Sequence, residues 1–147
     1  IGSSFLPSGI TAAFLWAQLE ALRTIQGKRL ALWNLYRQGL QPLADQGAIE
    51  LHPLPAFATN NAHVFYFVCA SGAERGRLIA HLAERGIQAV PHYRSLHDSA
   101  YYRGRNPNLN LVHCERYVNC LVRLPLFCAL KPGQVRYIVR AIKAFYA

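Results

Sequence analysis

The sequence has no methionine and only seven acidic residues, against sixteen Lys and Arg. Charged residues of all kinds make up just 16% of the 147 positions, while hydrophobic residues make up 52%. A disordered chain needs the opposite balance, so disorder is excluded as the main state. Ten glycines and eight prolines are scattered, which excludes collagen-like and low-complexity classes. No apolar run reaches the ~18 residues that a membrane-spanning helix requires. The most apolar early stretch, residues 10–19, is short, contains Gln18 and lacks a basic flank, so it does not form a signal peptide. Neither common type of glycine-rich phosphate loop occurs. Cys69, Cys114, Cys120 and Cys128 form no C-x-x-C pair and stand among apolar or aromatic neighbours. That spacing argues against zinc, and the absence of a secretion signal argues against a disulfide framework. The expectation is four reduced, small hydrophobic side chains in a cytoplasmic protein. Opening on Ile1 fits a piece of something longer, with residues 1–7 as a linker into a helix.

What the chain has in excess is arginine, which supplies thirteen of the sixteen basic residues and a net charge of +9. The guanidinium fork suits phosphates and carboxylates. Nucleic acid, an anionic surface and a phosphate-bearing ligand are all open, as is a missing segment that carries the balancing acids.

The apolar pattern begins after Ser8, a helix N-cap residue. Residues 10–22 are apolar around most of a helix, as in a helix covered from several sides or lying at an interface. A kink or break is expected at Gly27. The pattern resumes with Trp33, Tyr36 and Leu40 and ends at Pro42 and Gly47. Residues 51–61, with two prolines and Asn60–Asn61, read as a loop. Residues 63–70 (HVFYFVCA) read as a buried strand. A helix to about Glu84 follows, with Arg75, Arg77 and Arg85 facing out, and Gly86 closes it. Residues 86–90 read as a second, short strand, residues 93–110 as a long polar loop, 111–119 as a helix and 121–124 as a third strand. The last helix starts at Pro132 and buries Val135, Ile138, Val139, Ile142 and Phe145, with Arg136, Arg140 and Lys143 outside. The sum is one α/β (α+β) domain of two layers.

The densest polar cluster is residues 92–97, His-Tyr-Arg-Ser-Leu-His, leaving the second strand. Strand-end loops commonly hold ligands. Two imidazoles flanking Arg94 can grip a phosphorylated or carboxylated ligand, or simply belong to a solvated loop. A metal would need His113 or Cys114 as a third ligand. Ser95, His97 and Asp98 are too close in sequence to form a catalytic triad and lack a nucleophile-elbow pattern. The basic helix faces are expected to be solvated, because no aromatics interleave with them.

Five segments resemble one family. GSSFLPSGITAAFLWAQLEAL (residues 2–22), KRLALWNLY (28–36), NAHVFYF (61–67), GIQAVPHYRSLH (86–97) and RLPLF (123–127) recur in this order in sugar aminotransferases of the DegT/DnrJ/EryC1/StrS family. The first segment is most similar to a subgroup of enterobacterial common antigen synthesis. The resemblance implies the small C-terminal domain of a fold-type I aminotransferase, with about three strands and helices packed on the sheet. It implies an interface helix at about 8–46, a core at about 48–147, and no large cofactor domain within the chain. In the full-length enzyme it implies pyridoxal 5′-phosphate as cofactor, and a dTDP-sugar nucleotide and glutamate as substrates. It also implies a homodimer, with no membrane and no nucleic acid as partner. Ser4 takes the position of an Asn that reaches the cofactor phosphate of the neighbouring subunit. Leu6 replaces the Arg of that pattern, and Gly9 replaces a common acidic residue. His92, Tyr93 and His97 match an H-Y-x-P-L-H segment that borders the sugar-nucleotide site, with Ser95 in place of Pro. None of Lys28, Lys131 and Lys143 matches the family's Schiff-base lysine. The chain alone is therefore expected to be inactive and to hold no cofactor. The alternative is a stand-alone basic module that binds a nucleotide or nucleic acid without chemistry.

Overall fold

The computed structural model describes residues 5–105 and 109–147. Six helices and three strands follow in the order α1 (Gly9–Glu20), α2 (Leu22–Asp45), β1 (Ile49–Leu51), β2 (Phe65–Cys69), α3 (Gly72–Ala83), α4 (Ala100–Arg103), α5 (Val112–Cys120), β3 (Leu121–Leu124) and α6 (Pro132–Tyr146). A 3₁₀ turn at Leu96–Asp98 precedes α4. The strands form one antiparallel sheet in the order β1-β2-β3, with Ile49 opposite Cys69 and Phe65 opposite Leu124. Three strands with helices packed on them bear out the expected fold class.

Local chemistry sets the helix starts. Ser8 Oγ accepts from the Thr11 N–H at 3.2 Å, and Ser71 Oγ accepts from the Glu74 N–H at 3.2 Å. Both satisfy amides that the first turn leaves without partners. Gly86, at φ +70°, closes the run after α3 in a conformation that costs a Cβ-bearing residue free energy.

Three expectations about these elements need correction. The helix does not break at Gly27; it breaks at Ala21, and α2 runs unbroken through Gly27. The stretch expected to be loop begins inside β1, whose pairing with β2 is a long-range contact. Residues 86–90 do not form a strand, and only Val90 pairs, through one bridge to Arg123. The reason lies in the backbone donors: Gly86 and Ile87 N–H groups close α3 on Ala83 and Leu82 at 3.0 and 2.9 Å, and the Ala89 N–H turns back to Ile87. Arg75 also departs from its expected solvent face. Its Nη1 donates to the Val118 carbonyl at 2.7 Å, tying α3 to α5.

The core lies between α2, α6 and the sheet face carrying Phe65, Phe67 and Val122. Tyr36 stacks on Phe65 at 4.9 Å and donates from its hydroxyl to the Pro125 carbonyl at 2.9 Å. Burial raises this phenol above its ordinary range. Trp33 Nε1 donates to the Val64 carbonyl at 3.1 Å, so the two aromatic residues of α2 hold both strands of the β2–β3 pair at the same end, where Phe65 faces Leu124. The α6 helix crosses α2 where Gly39 allows it, since a Cβ there would lie 2.8 Å from Val139 Cγ1. Tyr146 at the end of α6 donates to Glu74 Oε1 of α3 at 2.7 Å. By contrast, α1 buries nothing: Ile10, Phe14, Leu15, Trp16 and Leu19 are all exposed, Trp16 by 66%. Among the described residues no helix is long and apolar enough to cross a membrane.

Candidate functional site

The sheet ends where the polar cluster begins. Val90 and Arg123 exchange backbone hydrogen bonds of 3.1 and 2.8 Å, and Pro91 then releases the chain from the sheet. His92 and Tyr93 follow, both exposed, with ring centroids 4.8 Å apart. Ser95 is 9% exposed and is the one buried polar residue among those described. Its hydroxyl does not cap the turn that it precedes.

Residues 92–95 form one wall of a depression of about 400 Å³, and His113, Cys114 and Tyr117 of α5 form the other. His113 and Tyr117 stand four apart, which puts them on one helix face. The sequence pointed to His113 and Cys114 only as metal ligands and not to Tyr117 or to a wall. The i, i+4 spacing was a usable signal, but only the fold shows that this face of α5 meets the cluster. The site is largely apolar, with a few convergent polar groups, as small-molecule sites are.

His97 does not line the depression. Its side chain is 10% exposed, and its Nε2 lies 3.6 Å from Glu115 Oε1, so it ties the 3₁₀ turn to α5. Asp98 pairs instead with Arg103, whose hydrogen bond and charge hold the carboxyl below its ordinary range. His97 and Asp98 therefore point to separate partners, and among the described residues no side-chain hydrogen bond joins Ser95 to either of them. No three His, Cys, Asp or Glu side chains come together to hold a metal among the described residues. All four cysteines are free. Burial pushes the Cys69 thiol up to about 11, as befits a packing residue. Ser4 lies outside the described residues.

The basic excess is partly structural. Arg29 donates from Nε and Nη2 to the Ala62 carbonyl at 3.1 and 2.9 Å, and Arg37 donates to the His52 carbonyl at 2.8 Å. Arg103 and Arg116 pair with Asp98 and Glu50.

The family model for DegT/DnrJ/EryC1/StrS aminotransferases matches residues 1–143. The chain belongs to this family. Solved structures agree in fold. The DesV structure from S. venezuelae, described as a complex with a ketimine intermediate, is 28% identical with a TM-score of 0.81, over 91% of this chain and 35% of that one. PseC of Helicobacter pylori, an aminotransferase of pseudaminic acid biosynthesis, is 20% identical with a TM-score of 0.86, over 99% of this chain and 39% of that one. The aminotransferase TlmJ from Streptoalloteichus hindustanus is 24% identical with a TM-score of 0.78, over 88% and 34%. The chain thus spans a little over a third of the length of these aminotransferases.

Proposed function

We propose that this family member is the small domain of a pyridoxal-phosphate-dependent sugar-nucleotide aminotransferase and supplies part of its substrate wall. The observation that carries the reading is the depression at the sheet's end. It is built by the His92–Tyr93 pair and α5 in a chain whose family match runs almost end to end. The proposed reaction moves the amino group of glutamate to the 4-keto carbon of a dTDP-4-keto-6-deoxyhexose. Residues 2–22 support the dTDP-4-amino-4,6-dideoxygalactose transaminase of enterobacterial common antigen synthesis as the specific type.

The residues present do not fit the reactive end of pyridoxal phosphate. Lys28 and Lys143 lie exposed on helix surfaces, and Lys131 opens α6, its N–H donating to Gln134 Oε1 at 2.9 Å. None of them lines the depression beside His92. No step through the cofactor is therefore assigned to this chain. Its role is to bind and orient. His92 and Tyr93 offer a ring nitrogen and a hydroxyl to the sugar nucleotide. His97, beside Glu115, keeps their segment seated and acts on the ligand only through that placement. The exposed apolar surface of α1 is the contact with the large domain and the partner subunit of a homodimer, because a patch of this kind drives association.

The test is amino transfer by the complete product of the reading frame that contains this chain, followed as 2-oxoglutarate release. His92→Ala should raise the KM for the sugar nucleotide roughly tenfold, the worth of a hydrogen bond to a charged group. His92 is exposed, so the melting temperature should hold. An unchanged KM, or no transfer to any 4-keto sugar nucleotide, would refute the reading.

A further inference from the structure

The last helix carries its charges on one side. Arg136, Arg140 and Lys143 of α6 stand at i, i+4 and i+7, so they form one exposed stripe about 10 Å long. Val135, Ile138, Val139 and Ile142 of the same helix are buried. None of the three cations forms an ion pair among the described residues. No acidic residue occurs in α6, nor in residues 21–44, which hold all of α2 except its last residue. That last residue, Asp45, accepts from Gln41 Nε2 at 2.8 Å. The stripe thus presents uncompensated positive charge to solvent.

A trough runs beside it. Leu35, Gln38 and Gly39 of α2 and Arg136, Val139 and Arg140 of α6 enclose about 380 Å³. Leu35 and Gly39 are half-buried and Val139 is buried, whereas both arginines are exposed. The floor is therefore apolar and the lip cationic. The helices α2 and α6 cover the core face of the sheet, so this surface is separate from the depression beside His92.

We propose that this face docks an acidic segment of a protein partner, laid along the trough as an amphipathic helix. Carboxylates one and two turns apart on such a helix match the spacing of the three cations. Its apolar side chains fill the trough, as in other helix-in-groove contacts. A nucleic-acid strand satisfies the charges but not the trough, because no aromatic side chain lines it for bases to stack on. An anionic membrane requires large apolar side chains that insert beside the charges. The large exposed apolar residues of α2 and α6 are Leu22, far from the trough in sequence, and Tyr137, whose hydroxyl is turned to the Arg85 carbonyl at 3.2 Å. The proposal does not depend on the aminotransferase reading.

Fluorescence anisotropy on the complete product of the reading frame tests the surface. The probe is a labelled synthetic helix of about 16 residues, roughly 24 Å long, with leucines in one stripe and glutamates beside them. It should bind saturably. Arg136→Glu with Arg140→Glu should weaken it about tenfold, because two attractions become repulsions. Arg23→Glu with Arg77→Glu makes the same change in net charge elsewhere and should leave the affinity within about twofold. All four arginines are exposed, so the fold should hold. If circular dichroism shows that the reversal unfolds the protein, Arg136→Gln with Arg140→Gln takes its place and should weaken binding about threefold. A peptide of the same composition with its leucines scattered should bind more weakly than the probe. Absence of saturable binding, equal losses in the two charge-reversed variants, or equal binding of the scattered peptide overturns the proposal. So does tighter binding, lost with Arg136 and Arg140, of an oligothymidylate of the same charge or of phosphatidylglycerol vesicles.

Discussion

Two glycines in α2 should respond in opposite directions to the same substitution. Gly27 is exposed, and a Cβ there would meet nothing within 4 Å. Gly27→Ala should therefore gain the helix propensity of alanine, roughly 0.5–1 kcal/mol, with no packing penalty. Gly39 offers the same propensity gain, but its Cβ would lie 2.8 and 3.0 Å from the two methyl carbons of Val139. Val139 is 7% exposed and β-branched on a helix, so its side chain has one favoured rotamer and little room to turn. Overpacking of this kind costs about 1–3 kcal/mol. The clash exceeds the propensity gain, and Gly39→Ala should destabilise by about 1 kcal/mol. The two variants should then differ by about 2 kcal/mol, a separation of several degrees in Tm for a domain of this size. Urea unfolding followed by far-UV circular dichroism measures both. In a Val139→Ala background the clash is gone, so Gly39→Ala should become stabilising, a sign reversal that a double-mutant cycle reads directly. A Gly39→Ala protein as stable as Gly27→Ala would refute the close α2–α6 approach.

Further outcomes follow from single contacts. Tyr36→Phe should cost about 1–2 kcal/mol in urea unfolding, because the Pro125 carbonyl loses its donor in the core. Thiol titration with a disulfide reagent at pH 8 should modify exposed Cys128 first. Cys69, raised to about 11, should stay unreactive until the chain unfolds, since only about one thiol in a thousand is ionised there. His52 is held below its ordinary value of 6.5, first by burial and then by the charge of Arg37. The unfolded chain thus takes up this proton more readily than the folded one. The contribution of His52 to stability should be full above pH 6.5 and lost as the pH falls through its lowered folded value, which unfolding curves at pH 7.5 and 5 compare. The isolated chain should associate through α1 in sedimentation, and Phe14→Lys with Leu19→Lys should return it to a monomer; a monomeric parent chain with Trp16 shielded from quencher would contradict this.

The elements that a sequence shows well are those whose own pattern decides them. The β-branched and aromatic run of β2, the amphipathic stripe of α6 and the proline-bounded β3 were all legible. The others depend on distant partners. The three residues of β1 have no strand signature and become a strand because β2 pairs with them. Residues 86–90 have a strand-like composition, but their amides are engaged in closing α3. Gly27 costs too little to break a 24-residue helix packed on the core. The break at Ala21 has no capping side chain, and so leaves no mark in the sequence. The same division holds at the site. The polar cluster at residues 92–97 stood out, whereas the α5 wall emerges only when the fold brings its segment against that cluster.

The central proposal is that this chain shapes the substrate side of an aminotransferase whose cofactor lysine it does not provide. Borohydride reduction of the pyridoxal-phosphate-loaded complete gene product, followed by peptide mapping, tests this most directly. The account predicts the reduced pyridoxyl label on a lysine outside these 147 residues, with Lys28, Lys131 and Lys143 unlabelled. A stoichiometric label on any of those three would contradict it.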